Sequence, residues 1–156
     1  METVPAIRRK RFLLRASSST VEARFGGEGE TWVDTWTDFE AVGERGYFRP
    51  RGSVSLDQMV NMIDAVLRVA RTGGLREVVV NVTGLTGFVS PSVGNRYAFI
   101  SQWASTAGGR VRLALVAQPE HIDPEKFGVT VAANRGWDAN VFVTEADAIG
   151  WLDGKP

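Results

Sequence analysis

The chain has 156 residues, no cysteine and a formal net charge of zero, with 44% hydrophobic and 23% charged residues. This length and composition are typical of a single globular domain, and they exclude a disulfide-stapled scaffold and a disordered chain. No apolar run approaches the ~20 residues of a transmembrane helix, so we expect a cytoplasmic protein.

The first 19 residues are basic, with five Lys and Arg residues against one acidic residue. Residues 8–11 (Arg-Arg-Lys-Arg) could contact nucleic acid or an anionic membrane, but four clustered charges are a weak footprint for either. We therefore expect residues 1–19 to be a poorly ordered leader, residues 20–156 to form the domain, and nucleic acid not to be a partner.

Two segments near the start alternate apolar and polar residues, as half-buried strands do. They are Thr20–Phe25 and Thr31–Trp36, and the glycine-rich residues 26–29 between them predict a turn. Together they predict an antiparallel hairpin. A short third strand is predicted at Gly46–Pro50.

The first helix is predicted by apolar residues at three- and four-residue spacing after Ser55. Ser55 and Gln58 have the spacing of a capping box, and Gly73-Gly74 predicts the helix end. The predicted inward face consists of Leu56, Met59, Val60, Ile63, Val66, Leu67 and Ala70. Asp64 is predicted to face away from that side.

The most informative stretch follows, where an apolar strand at Glu77–Val82 leads into the glycine-rich loop Thr83–Gly87. A nearly unbroken β-branched run, here Val78-Val79-Val80-Asn81-Val82, is typical of a parallel strand buried on both faces. Ser90 is predicted to cap the next helix, with Pro91 in its first position. The predicted buried stripe of that helix is Val93, Tyr97, Ile100, Trp103 and Ala104.

The remaining sequence continues to alternate between strand and helix patterns. The predicted elements are a strand at Arg110–Ala117, a helix from Asp123-Pro124 to about Asn134, a strand at Ala139–Val143 and a short helix capped by Thr144. The predicted fold is a single α/β domain with a mostly parallel central sheet flanked by helices and an N-terminal antiparallel extension.

Over roughly residues 46–152 the chain resembles a known family. The residues that carry the resemblance are Gly52–Leu56, the strand and loop at Glu77–Leu85, the helix start Ser90-Pro91-Ser92, and the end of the chain from Ala133-Asn134-Arg135-Gly136 to Trp151-Leu152. They are similar to STAS-like domains of the SpoIIAA-like type, which are related to anti-sigma-factor antagonists and to Sec14-type lipid carriers.

The resemblance implies a bacterial, non-enzymatic signalling or protein-interaction domain with a protein partner such as a kinase or regulator. In antagonists a serine at the start of the helix after the central strand is phosphorylated, which here corresponds to Ser90 or Ser92. The docking candidates are the loop Thr83–Val89, which contains Thr86, and the helix start Ser90–Gly94. Asn81 stands where the family has an aspartate.

A carrier for an apolar or lipid-like ligand is the alternative function. Trp32, Trp36 and Trp137 lie outside the helix stripes and could line an apolar pocket, with Arg135 orienting an anionic head group. Core packing of each tryptophan, and capping of the preceding helix by Arg135, are the competing interpretations. A homodimer through an exposed apolar face is a further open alternative.

Catalytic chemistry has little support in the sequence. His121 is the sole histidine and there is no cysteine, which leaves no ligand set for a structural zinc ion. The glycine spacing matches no nucleotide-binding motif, so we predict no cofactor and no metal. A serine-dependent hydrolase using His121 with Ser90 or Ser92 is a weaker alternative, because no nucleophile-elbow motif is present.

Overall fold

The computed structural model describes residues 12–16, 21–25 and 39–154. The strands are β1 (Phe12–Ala16), β2 (Val21–Phe25), β3 (Phe39–Val42), β4 (Arg45–Phe48), β5 (Gly52–Ser53), β6 (Glu77–Asn81), β7 (Leu85–Thr86), β8 (Arg112–Val116) and β9 (Ala139–Phe142). The helices are α1 (Leu56–Thr72), α2 (Val93–Ala107), α3 (Phe127–Asn134) and α4 (Glu145–Leu152), with a 3₁₀ turn at Pro119–His121. None of these helices is long and apolar enough to cross a bilayer.

The central sheet has five strands in the order β3-β4-β6-β8-β9. β3 and β4 are antiparallel, whereas the β4–β6, β6–β8 and β8–β9 pairs are parallel. β1 pairs with β2 in a separate antiparallel ribbon, and β5 pairs with β7 in a short parallel ribbon. The predicted α/β class with a mostly parallel sheet is therefore confirmed.

Both faces of the sheet are covered, which explains the apolar run in β6. Val78 and Val80 point into the main core, which also takes in residues of α1, α2 and α3. Val79 points to the opposite face, where α4 contributes Ala148 and Leu152. Because successive strand residues face opposite sides, only a strand covered on both sides reads as continuous valine.

The N-terminal region differs from the predicted hairpin. Val21–Phe25 is a strand, but its partner in the structure is Phe12–Ala16, which lies within the expected leader. The predicted turn at 26–29 and strand at Thr31–Trp36 lie outside the described residues. The strand predicted at Gly46–Pro50 corresponds to β4. The strand that precedes it, β3, was not predicted.

The prediction for α1 is confirmed at both ends, with the Ser55–Gln58 capping box present and the helix ending at Gly73. The prediction that Asp64 faces away from the buried side is wrong, because Asp64 is buried with 5% of its surface exposed. α2 packs against this side of α1, so that the Asp64 carboxylate accepts hydrogen bonds from Thr106 of α2 and from Arg68. β2 also lies beside α1, and helical periodicity alone does not reveal such second neighbours.

The start of α2 corrects two predictions. Ser92, not Ser90, is the N-cap, and its hydroxyl accepts the Asn95 N–H at 3.1 Å. Val93 and Tyr97 are exposed, whereas Phe99, Ile100 and Trp103 are buried. The helix therefore buries its later turns against the core and leaves its first turns at the surface.

The last elements follow the prediction with a shifted boundary. α3 begins only at Phe127, and the Asp123 carboxylate accepts the Phe127 N–H at 2.8 Å across the intervening turn. The Thr144 hydroxyl caps α4 by accepting the Asp147 N–H, as its position predicted.

Candidate functional site

The loop after β6 is held against the segment that precedes α1. Leu85 and Thr86 pair with Gly52 and Ser53, which fixes the loop on the carboxyl side of the sheet. Gly87 has a φ of +100° and a Cβ there would lie 2.7 Å from the Ser53 hydroxyl oxygen. Only glycine fits this position, so the loop is closely packed on one side and open on the other.

The open side carries the predicted docking residues. Thr86, Ser90, Ser92 and Gly94 are all exposed. Three large apolar side chains are exposed in the same stretch, at 83% for Val89, 61% for Val93 and 51% for Tyr97. We call these three residues the apolar patch.

Three arginines lie within or beside the stretch that carries the patch, and the neighbouring loop that contacts it at His121 carries Glu120 and Asp123. Residues 83–97 contain Arg96 and no Asp or Glu. Arg51 lies against Gly84 at one end of the stretch, since a Cβ at Gly84 would be 3.2 Å from its Cγ. At the other end Arg135 stacks on the Tyr97 ring at 5.5 Å and donates to the Tyr97 hydroxyl. The structure thus brings Arg135 to the apolar patch.

Arg96 joins the helix start to the loop after β8. Its Nη2 donates to the Ser90 hydroxyl at 3.1 Å and to the His121 carbonyl at 3.2 Å. The His121 ring itself stacks on Phe88 with centroids 5.0 Å apart. Among the described contacts His121 makes no hydrogen bond to Ser90 or Ser92, the serines of the weaker hydrolase alternative.

A polar cluster lies beneath the loop at the carboxyl ends of the strands. The Glu145 carboxylate accepts hydrogen bonds from Arg49 at 3.0 Å and from the Asn81 amide at 3.1 Å. The Asn81 side-chain oxygen, Oδ1, accepts hydrogen bonds from the Thr83 N–H and hydroxyl. The bonds from Arg49, and then from Asn81, hold the pKa of Glu145 below its ordinary value, because they stabilise the ionised carboxylate.

The neighbours of position 81 favour asparagine there. Asparagine offers a donor to Glu145 and an acceptor to Thr83 at the same time. An aspartate would place a second carboxylate beside Glu145. The amide therefore matches its neighbour in this chain.

An apolar cavity of about 70 Å³ lies between α2, α3 and the strands β8 and β9. Its apolar walls are formed by Phe99, Ile100, Trp103, Leu113, Leu115, Ala117, Ile122, Gly128, Val129, Ala139 and Val141. Its polar lining residues are Arg96, His121, Asp123, Lys126 and Asn140.

This cavity does not use the pocket residues predicted from the sequence. Trp137 is 3% exposed and its indole N–H donates to the Val111 carbonyl at 2.7 Å, which places it in the core. Arg135 lies at the surface beside Tyr97, and it also follows the last residue of α3 as the helix C-cap. Trp32 and Trp36 lie outside the described residues.

Sequence reasoning missed two functional candidates, Arg96 and Glu145. In the sequence Arg96 is a charged residue within a predicted helix, which by itself indicates only solvent exposure. Its hydrogen-bond partners Ser90 and His121 lie 6 and 25 residues away along the chain. Glu145 was visible only as an acid in the first turn of α4. No local pattern reports contacts at such separations.

Comparison with solved structures finds that the chain is similar to the anti-sigma factor antagonist SpoIIAA in its unphosphorylated form, with 21% identity. The alignment covers 76% of this chain and 96% of that one, with a TM-score of 0.39. No protein-family model and no curated protein matches the chain. At this TM-score the similarity says nothing about the partners of this chain.

Proposed function

We propose that this chain is a non-enzymatic regulatory domain that binds a partner protein through residues 83–94 and the next helical turn as far as Tyr97. The observation that carries the proposal is the exposed apolar patch. Val93 and Tyr97 are four residues apart and share one face of α2, and Val89 leads into that helix. Exposed apolar side chains grouped in one segment favour an interaction surface, whereas scattered ones are ordinary.

The charges around the patch define the partner's chemistry. Arg51 and Arg135 lie at the two ends of the stretch, and no carboxylate lies within it. We therefore infer a partner protein with an apolar contact surface bordered by Asp and Glu residues. Such complementarity increases the association rate and makes binding weaken with added salt.

Phosphorylation would change this surface directly. A phosphoryl group adds nearly two negative charges in the middle of the cationic stretch. At Ser90 it would lie next to Arg96, whose Nη2 is 3.1 Å from the Ser90 hydroxyl. At Ser92 it would replace a hydroxyl that already caps α2. Either modification would oppose binding of an acidic partner, and intact-mass analysis of protein from its own host would detect it.

The test begins with a photo-crosslinking residue at Val93, and at Val143 as a matched control. Val143 is also an exposed valine, at 50%, but it follows β9. The crosslinked partner is identified by mass spectrometry, and its Kd is then measured for the wild type, Val93→Glu and Val143→Glu.

We expect Val93→Glu to weaken binding at least about tenfold, because it buries a charge that faces partner carboxylates. Val143→Glu should leave the Kd unchanged. Equal losses for the two variants would contradict the proposal. A crosslink to a second copy of this chain would replace it with self-association.

A further inference from the structure

We propose that the cavity between α2 and α3 is a binding site for a small carboxylate whose apolar tail enters the cavity. This inference is independent of the docking function, because the cavity lining shares only Arg96 with residues 83–97. Protein interiors have few voids larger than a water molecule. A cavity of about 70 Å³ lined by both apolar and charged residues is therefore a specific feature of this chain.

The size of the cavity limits the tail. An engineered apolar cavity of about 150 Å³ holds benzene, so about 70 Å³ suits about three carbon atoms. The enclosed space holds only a short segment of an acyl chain. The ligand class is thus a short-chain acid and not a membrane lipid.

The polar lining residues set the charge of the head group. Arg96 and Lys126 are cations, and neither forms an ion pair with a carboxylate among the described residues. Arg96 donates instead to the Ser90 hydroxyl and the His121 carbonyl, and Lys126 Nζ lies 5.8 Å from the centroid of the Phe142 ring. The single acid in the lining is Asp123, whose Oδ2 already accepts the Phe127 N–H. The excess of positive charge favours an anionic head group at the mouth.

The backbone at Lys126 adds a second observation. Lys126 has a φ of +51°, and it is the non-glycine residue with positive φ in the described part of the chain. Its carbonyl accepts from Val129 and Thr130 at the start of α3, so this strained residue sets where the helix begins beside the cavity. Unfavourable backbone conformations of this kind concentrate at ligand sites.

The experiment is an NMR titration of the purified full chain with butanoate, butan-1-ol and octanoate. We expect saturable shifts of the Gly128, Ala139 and Val141 amides with butanoate. Butan-1-ol, which has the same tail length without the charge, should bind at least about threefold more weakly. Octanoate should not bind more tightly than butanoate, because its tail exceeds the cavity.

Three variants identify the site. Ala139→Leu fills the cavity and should abolish the shifts. Lys126→Asn removes the charge but keeps a residue that tolerates positive φ, and it should weaken butanoate about three- to fivefold without affecting butan-1-ol. Arg110→Gln removes an exposed cation that does not line the cavity, and it should change nothing.

Several results would overturn the site. These are butanoate shifts that persist in Ala139→Leu, equal affinity for the alcohol and the acid, or no saturable shift up to the solubility limit. An affinity that rises about fourfold with each added methylene would indicate general apolar adsorption and would also overturn it. If Ala139→Leu does not fold, Lys126→Asn and the comparison of acid with alcohol decide the question.

Discussion

Replacing Asn81 with aspartate tests the polar cluster beneath the loop that follows β6. The Asn81 amide donates to the Glu145 carboxylate at 3.1 Å. In Asn81→Asp that donor becomes a carboxylate oxygen, and the two acids repel each other. The Thr83 N–H and hydroxyl can still bond to the other oxygen, so the loop keeps those contacts.

The cost follows from the geometry. Two unit charges about 4 Å apart repel by about 1 kcal/mol in water and about 4 kcal/mol at an effective dielectric constant of about 20. Glu145 has 26% of its side chain exposed, and Arg49 lies 2.9 Å away, so a value in the lower half of that range applies. We expect Asn81→Asp to lower the free energy of unfolding by about 2 kcal/mol at pH 7. For a chain of this length that loss lowers Tm by about 4–8 °C.

Urea unfolding between pH 7 and pH 3 measures this effect. Mutual repulsion raises the pKa of the paired acids in the variant, so the deficit should shrink as the pH falls and one carboxylate takes up a proton. The double variant Asn81→Asp/Glu145→Gln should recover most of the loss, because it removes one of the two charges. A variant as stable as the wild type at pH 7, or a deficit independent of pH, would refute the electrostatic account.

Three further predictions concern stability and the start of α2. Folding lowers the pKa of Glu145 in the wild type. The ionised carboxylate therefore contributes fully to the free energy of unfolding above the ordinary glutamate pKa, and this contribution is lost as the pH falls through the lower folded pKa. Glu145→Gln should remove this pH dependence from the free energy of unfolding measured in urea. Ser92→Ala should destabilise by about 1 kcal/mol and Ser90→Ala by less than about 0.5 kcal/mol in thermal unfolding, and equal losses would contradict the observed cap. Trp103→Phe should cost about 2 kcal/mol in urea unfolding, because it leaves a void and removes the indole bond to the Val60 carbonyl; a loss below about 0.5 kcal/mol would show that the core repacks freely.

Local signals in the sequence predicted most of the elements from Ser55 onward. The Ser55–Gln58 capping box marks the first turn of α1, and Gly73 follows its last residue. The valines of β6 predict a strand with both faces covered, and the structure confirms this. Such signals succeed because they depend on hydrogen bonds and burial periodicity inside a single element.

The exposure of the patch was not predictable in the same way. Val93, Tyr97, Ile100 and Trp103 share a helical spacing, and that spacing says which residues point the same way. It does not say how far along the helix a neighbour covers them. Only packing of the later turns against the core leaves Val93 and Tyr97 at the surface.

The sequence by itself determined the alternation of strands and helices, the glycine-rich turns and the segment 83–94 as a candidate surface, because each rests on residues adjacent along the chain. Tertiary structure decided the choice of Ser92 over Ser90 as cap, the burial of Asp64 and Trp137, and the contacts of Arg96 and Glu145. It also decided the position of the cavity. The physical reason is that burial and side-chain pairing depend on which distant segment packs alongside, and no local pattern records that neighbour.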